Sequence, residues 1–125
     1  MNVLDKASRM IHGVRVLSDW IGDGGIVVAQ EDAQRRADVC ISCPLNQKSN
    51  TVSDKVAANI KRQRELKSQL ELRVIGEKSL YTCQACLCNL PLKVWIPTQN
   101  LKLGENKETL SKYDANCWMR KEITV

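Results

Sequence analysis

The stretch Cys83-Gln84-Ala85-Cys86-Leu87-Cys88 places three thiols within six residues, and Cys40-Ile41-Ser42-Cys43 places two more within four. Cys117 is the sixth cysteine of this 125-residue chain. The C-x-x-C spacing lets one tight turn direct two sulfurs at the same ion, and two such turns complete a tetrahedral site. These segments therefore predict a metal centre that ties distant parts of the chain together, with all six cysteines as candidate ligands.

The rest of the composition indicates a small hydrophobic core. The chain has no phenylalanine, and aromatic residues make up 4% of it. Its length allows one compact domain, which we expect to span residues 1–125. Because a small core rarely suffices for stability, a bound metal is the expected additional support. The sequence shows neither a signal-peptide pattern nor an apolar run long enough to cross a bilayer, so we expect a reducing, cytoplasmic setting and no membrane partner.

That setting favours metal binding over three disulfides, which are the alternative. One zinc ion needs four thiolates, and the pairs Cys40/Cys43 and Cys83/Cys86 are the expected set. Cys88 and Cys117 are then buried thiols, ligands of a second zinc ion, or substitutes for one of the four. An iron–sulfur cluster is the alternative cofactor, because four cysteines hold that group as well. A thioredoxin-like dithiol is disfavoured, because the predicted helix precedes Cys40 instead of following it.

Sequence patterns predict three helical segments, of which the first and third are long. Residues 3–21 carry an apolar stripe at three- and four-residue steps, and the glycine-rich segment 22–25 ends that helix. Residues 30–39 form a shorter helix that leads into Cys40, so that residues 1–45 comprise the N-terminal helices and the first cysteine half-site. A long helix from Thr51 or Ser53 to about Ile75 is predicted to form a charged arm over residues 51–76.

Residues 77–125 are predicted to carry the second half-site and the C-terminal part. Residues 80–82 lead into Cys83 as a short strand, and residues 90–96 alternate as a half-buried strand that Pro91 keeps at an edge. Residues 98–106 are typical of a loop, and residues 107–114 of a short helix. The predicted fold class is therefore a helix-rich α+β domain with a small zinc-ribbon or knuckle-like metal site, amphipathic helices and a long helical arm.

The positive charge is concentrated in the second part of the chain. Residues 1–50 carry six basic and six acidic side chains, whereas residues 51–125 carry 13 basic and eight acidic ones. A basic helix over residues 55–73 could contact phosphates, but acidic residues interrupt it, and a solvated helix face is the preferred interpretation. The candidate nucleic-acid-binding residues are Lys61, Arg62, Arg64 and Lys67.

The cysteine frame and its flanks, residues 36–46, 83–94 and 117–118, resemble small bacteriophage and prophage proteins of unassigned role. Those proteins carry CxxCP, CxxCxC and CW motifs in this order. A glycine usually follows the second cysteine of their central knuckle, where this chain has Leu87. The resemblance implies a phage-encoded metal-site protein, as a virion or assembly component, and implies no catalytic chemistry.

The residues outside the cysteine motifs predict no catalytic set. His12, the sole histidine, is interpreted as an ordinary helix residue, and Trp95 and Trp118 are expected to shield the sulfurs from water. Four thiolates would close the zinc coordination shell. We therefore expect a non-enzymatic protein whose structural zinc holds surfaces that dock on a protein partner or viral assembly, in the host cytoplasm or the virion. The alternatives are a nucleic-acid-binding zinc module and an iron–sulfur or redox protein.

Overall fold

The computed structural model describes residues 3–48, 52–68 and 71–124. Helices dominate this part of the chain, which confirms the helix-rich character of the predicted fold. The sheet found there is one antiparallel pair, β1 (Asn46–Gln47) with β2 (Thr82–Cys83). The helices are α1 (Val3–Gly22), α2 (Gln30–Ile41), α3 (Val52–Ser68), α4 (Leu90–Lys93), α5 (Thr98–Leu101), α6 (Lys107–Leu110) and α7 (Trp118–Glu122). No helix among the described residues is both long and apolar enough to cross a bilayer.

Helix α1 ends as the glycine-rich segment predicts. Trp20 is completely buried, and its indole Nε1 donates to the Ile26 carbonyl at 2.7 Å. Gly24 and Gly25 have φ values of 97° and 63°, and a Cβ at Gly25 would lie 2.5 Å from Nε of Arg64. Glycine is therefore favoured at position 25 for its conformation, and a larger residue there would also displace the Arg64 guanidinium. The side chain of His12 lies outside the described residues.

Helix α2 is confirmed and extends two residues beyond the predicted end. Its buried residues are Ala33, Arg36, Ala37 and Cys40. The guanidinium of Arg36 donates to the carbonyls of Val94 at 3.1 Å and Ile96 at 2.7 Å. It also donates to Glu122 Oε1 at 2.9 Å and lies 4.4 Å from the ring centre of Trp118. One buried side chain thus joins α2 to the segment after α4 and to α7.

The predicted arm over residues 51–76 is wrong in its length and its exposure. Helix α3 ends at Ser68, and Ala57 and Lys61 on it are buried. Residues 71–74 run extended beside α2, and a turn follows at residues 75–76, where the Ile75 N–H donates to Gln34 Oε1 at 2.8 Å. Leu72 and Val74 are buried while their neighbours are exposed. This period-two burial is typical of an extended segment.

The predicted strand over residues 90–96 is also wrong, because these residues form α4 and a following turn. Asn89 is the N-cap, accepting a hydrogen bond from the Leu92 N–H at 3.2 Å, and Pro91 lies in the first turn. Both are helix-start signals that outweigh the apparent alternation. Lys93 and Trp95, which a half-buried strand would expose, are both buried.

The short elements after α4 differ from the prediction in detail. The predicted loop 98–106 contains α5 and a 3₁₀ turn at Lys102–Gly104. The predicted helix 107–114 is present as α6, which ends at Leu110 and starts at a capping box between Asn106 and Thr109. Helix α7 has no counterpart in the prediction, because five residues are too few for apolar periodicity to register.

Candidate metal centre

The first cysteine half-site is the turn that ends α2. Cys40 lies in the last turn of the helix, and the Cys43 N–H donates to its carbonyl at 3.0 Å. The chain then enters β1, where Asn46 pairs with Cys83 of β2. The Gln84 N–H also donates to the Leu45 carbonyl at 2.8 Å. The β1–β2 pair therefore places the two distant cysteine motifs side by side.

The second half-site is a tight turn over residues 83–88, which we call the knuckle. The Cys83 N–H donates to the Cys88 carbonyl at 3.0 Å, and the Leu87 N–H donates to the Cys83 carbonyl at 2.7 Å. Leu87 has a φ of 60°, a conformation that costs a side-chain-bearing residue about 1–2 kcal/mol. Leucine thus adopts, at this position, a backbone conformation that glycine takes more easily.

The C-terminal motif Cys117-Trp118 completes the cluster. Cys117 is the N-cap residue of α7 and is buried. Trp118 is 2% exposed, and its indole Nε1 donates to the Cys40 sulfur at 3.2 Å. Trp118 therefore shields a sulfur as predicted and also hydrogen-bonds to it. Trp95 is buried as well, but it lines neither of the two cavities described next.

Four of the six cysteines line one small cavity of about 10 Å³, enough for about one water-sized sphere. They are Cys40, Cys43, Cys83 and Cys117. The set contains Cys117 where the sequence favoured Cys86. Three separate segments supply these thiols: the end of α2, the start of the knuckle, and the start of α7.

Cys86 and Cys88 line a different cavity of about 250 Å³. Its wall also includes Arg9 and Val16 of α1 and Glu105 and Lys112 from the C-terminal part. Lys93, Tyr113 and Met119 line both cavities and so separate them. Arg9 fastens α1 to the knuckle, because its NH1 donates to the Ala85 carbonyl at 2.6 Å and the Gln84 carbonyl at 3.0 Å.

Lys93 places a buried positive charge among the thiols. Its side chain is 3% exposed, and Nζ lies 3.0 Å from the Cys86 sulfur and 3.2 Å from the Tyr113 hydroxyl. Tyr113 in turn donates to Glu105 Oε1 at 2.8 Å. No carboxylate of the described residues forms an ion pair with Lys93. Because a buried ammonium needs an opposite charge, the thiols beside it are the available counter-ions.

The ionisation of the cluster follows from this arrangement. Burial would lower the pKa of Lys93, but the charges of Cys86, Tyr113, Cys88 and Cys83 together outweigh it and raise that pKa well above its usual value. Burial opposes ionisation of Cys86, yet hydrogen bonds from Cys83, Cys88 and Lys93 hold its pKa well below the usual range. Burial raises the pKa of Cys40 to about 11 and also raises that of Cys117. Cys86, whose sulfur lies 3.0 Å from Nζ, is thus the thiol most favoured to carry the charge that balances Lys93.

The thiols converge without forming a finished coordination site. All six cysteines are free, so the disulfide alternative is not the state described here. Across residues 3–48, 52–68 and 71–124, no three cysteine, histidine or acidic side chains stand in an arrangement that could hold a metal ion. The sulfurs instead hydrogen-bond to Trp118, to Lys93 and to one another. Metal binding would require the thiols to exchange these hydrogen bonds for a shared ion.

The candidate nucleic-acid-binding residues do not form a free basic surface. Lys61 is buried and forms an ion pair with Glu77. The NH2 of Arg64 donates to the Gly24 carbonyl at 2.7 Å, whereas Arg62 is exposed. The side chain of Lys67 lies outside the described residues. Two of the four candidates are therefore used in contacts inside the domain.

Sequence reasoning missed Lys93, Tyr113 and Arg36 as parts of the cluster. Lys93 could have been found, because it interrupts the apolar run from Leu90 to Ile96 without a nearby acidic residue in sequence. Tyr113 and Arg36 carry no such local signal, since their roles depend on partners far away in the chain.

No protein-family model, curated protein or solved structure matches this chain. The residues of the thiol cluster therefore carry the functional inference.

Proposed function

We propose that this protein is a non-enzymatic interaction protein whose fold is held by one structural zinc ion. The proposed ligands are Cys40, Cys43, Cys83 and Cys117. The observation that supports this set is the single small cavity that all four cysteines line. Four thiolates are the ligand set of structural zinc sites, and bound metal would add the stability that a core without phenylalanine lacks.

The surroundings of these four cysteines suit a charged metal–thiolate group. Four thiolates and one divalent zinc ion carry a net charge of −2, which needs donors and positive charge around it when buried. Lys93 lines the cavity and supplies positive charge, and Trp118 supplies an N–H donor to the Cys40 sulfur. Such outer contacts orient the ligands and tune the site.

This ligand set also favours a structural over a catalytic role. A catalytic zinc ion keeps one coordination position for water or substrate, whereas four protein thiolates leave none. The zinc centre would fix the end of α2, the knuckle and α7 in their positions relative to one another. We propose that the surface formed by these three segments docks on a protein partner, in keeping with the resemblance to phage proteins and a role in a virion or its assembly.

The test is metal analysis of the full chain purified under reducing conditions. We expect about one zinc ion per chain and its loss in Cys40→Ser and Cys117→Ser, while Cys86→Ser keeps it. A protein that binds no metal would refute the zinc centre. Loss of zinc in Cys86→Ser with retention in Cys117→Ser would refute the ligand set. Iron with labile sulfide and a brown colour would favour the iron–sulfur alternative.

The docking role has its own test, because the zinc centre could exist without it. We expect the protein expressed in infected host cells to copurify with a defined virion or host protein, and to lose that association in Cys40→Ser. The nucleic-acid alternative predicts salt-dependent DNA or RNA binding that Arg62→Gln weakens. The internal contacts of Lys61 and Arg64 favour the protein partner over the nucleic acid.

A further inference from the structure

We propose that Cys86 and Cys88 form a second, separate site: a dithiol that binds a soft, thiophilic cation from the 250 Å³ cavity. Monovalent copper is the metal of this class that fits two thiolates, and a trivalent arsenical has the same requirement. The inference rests on the proposed zinc centre, because it assigns the two cysteines that the zinc centre does not use.

The first support is the division of the thiols between two cavities. Cys86 and Cys88 line the larger cavity and are absent from the lining of the smaller one. Lys93, Tyr113 and Met119 form the wall between the two. Cys86 and Cys88 are both partly exposed, as is Cys43 of the zinc set, whereas Cys40, Cys83 and Cys117 are buried. An ion arriving through the larger cavity would therefore meet this pair first.

The second support is the backbone between the two thiols. Cys86 and Cys88 lie two residues apart in the tight turn over residues 83–88, and the residue between them, Leu87, has a positive φ that bends the chain there. The Cys88 thiol donates to the Cys86 carbonyl at 3.7 Å, which holds its sulfur against the turn that carries Cys86. Both thiols thus belong to one short turn, as a shared ligand requires.

The third support is that few ligands surround the pair besides Cys83, which the proposed zinc centre uses. Glu105 lines the same cavity but already accepts hydrogen bonds from Tyr113 at 2.8 Å and Thr109 at 2.6 Å. In the described part of the chain these thiols belong to no group of three metal-ligating side chains. Two sulfurs suit a soft cation of low coordination number better than a zinc ion, which requires four ligands.

The test uses phenylarsine oxide on the zinc-loaded full chain. The arsenic forms two As–S bonds as two S–H bonds break, and its oxygen leaves as water, so no oxidant is needed. We expect one arsenical per chain with zinc retained, and peptide mapping should locate the bridge at Cys86 and Cys88. Cys86→Ser and Cys88→Ser should each bind the arsenical at least about 100-fold more weakly, because one sulfur loses the gain of a linked second contact.

A second arm titrates the same proteins with monovalent copper in the presence of a competing copper chelator. We expect one copper ion per wild-type chain without release of zinc, and none in either serine variant. Two zinc ions per chain with no arsenical bound would refute the dithiol site, as would an arsenical bridge mapped to other cysteines. Absence of zinc in the starting protein would instead refute the proposed function. The wild-type mapping decides the matter even where a serine variant fails to fold.

Discussion

Replacing Arg36 by methionine tests the contact that joins α2 to α7 and to the segment that follows α4. Arg36 is 1% exposed and makes its hydrogen bonds to two backbone carbonyls and to the Glu122 carboxylate. The substitution removes two charge-assisted hydrogen bonds to buried carbonyls, each worth about 1.5–3 kcal/mol, so the combined cost should be about 4 kcal/mol, while Glu122 keeps Arg35 as its ion-pair partner. With a urea m-value of about 2 kcal/mol/M for a chain of this size, the urea concentration at the unfolding midpoint should be about 2 M lower for Arg36→Met than for the wild type.

The neighbouring Arg35 provides a matched control. Its guanidinium also contacts Glu122, at 3.1 Å, but its side chain is 51% exposed. Arg35→Met should therefore cost at most about 1 kcal/mol, as for other exposed ion pairs. If Arg36→Met does not fold, Arg36→Lys keeps the charge without the planar fork and should show an intermediate loss.

The assay is urea unfolding followed by circular dichroism, with zinc at one fixed concentration for all variants. A second readout is zinc affinity, which should fall about 10-fold in Arg36→Met, because Arg36 stacks on the Trp118 ring that donates to Cys40. Equal losses below about 1 kcal/mol for Arg35→Met and Arg36→Met would refute the buried role of Arg36.

Three further predictions address pH, the knuckle and α3. Burial opposes ionisation of Glu122, but the hydrogen bond and charge of Arg36 lower its pKa below the usual value of 4.5. A carboxylate whose pKa is lower in the folded than in the unfolded state stabilises the fold above the unfolded-state pKa, so this stabilisation should persist at neutral pH and disappear as the pH falls below about 4.5. Glu122→Gln should therefore show a smaller acid-induced drop in melting temperature than the wild type. Identical plots of melting temperature against pH for the two proteins would contradict this. At Leu87, where φ is positive, Leu87→Asn should be more stable than Leu87→Val by about 1 kcal/mol and so unfold at a higher temperature, although valine is the more apolar residue. The reverse order of melting temperatures would exclude the left-handed turn. Lys61→Met should lower the free energy of unfolding by about 1 kcal/mol, because the ion pair with Glu77 is lost. Arg62 is exposed, so Arg62→Met should leave that free energy nearly unchanged. Equal urea midpoints for the two variants would contradict the buried position of Lys61.

Local patterns were sufficient wherever the deciding interactions lie close together in sequence. The apolar stripe and the glycines at 24 and 25 predict α1 and its end, and the capping signals are local as well. The two C-x-x-C motifs likewise identify candidate ligands by spacing alone. The error at residues 90–96 was a misjudged local signal, because Asn89 and Pro91 already indicated a helix start.

Tertiary contacts decided the features for which several local solutions were similar in energy. Residues 71–74 are extended because α2 offers hydrogen-bond partners such as Gln30 and a place to bury Leu72 and Val74. The grouping of Cys117 with Cys40 and Cys43, in place of Cys86, depends on where α7 packs, and Arg36 and Trp118 help to fix that position across the core.

The sequence by itself determined the residue chemistry: six thiols, a small core and two tight cysteine turns. Only the tertiary structure decided which thiols share a cavity, and which of them faces Lys93. The physical reason is that a side chain's ionisation and its possible ligands depend on burial and on charges within a few ångströms, and the chain brings those together from distant positions.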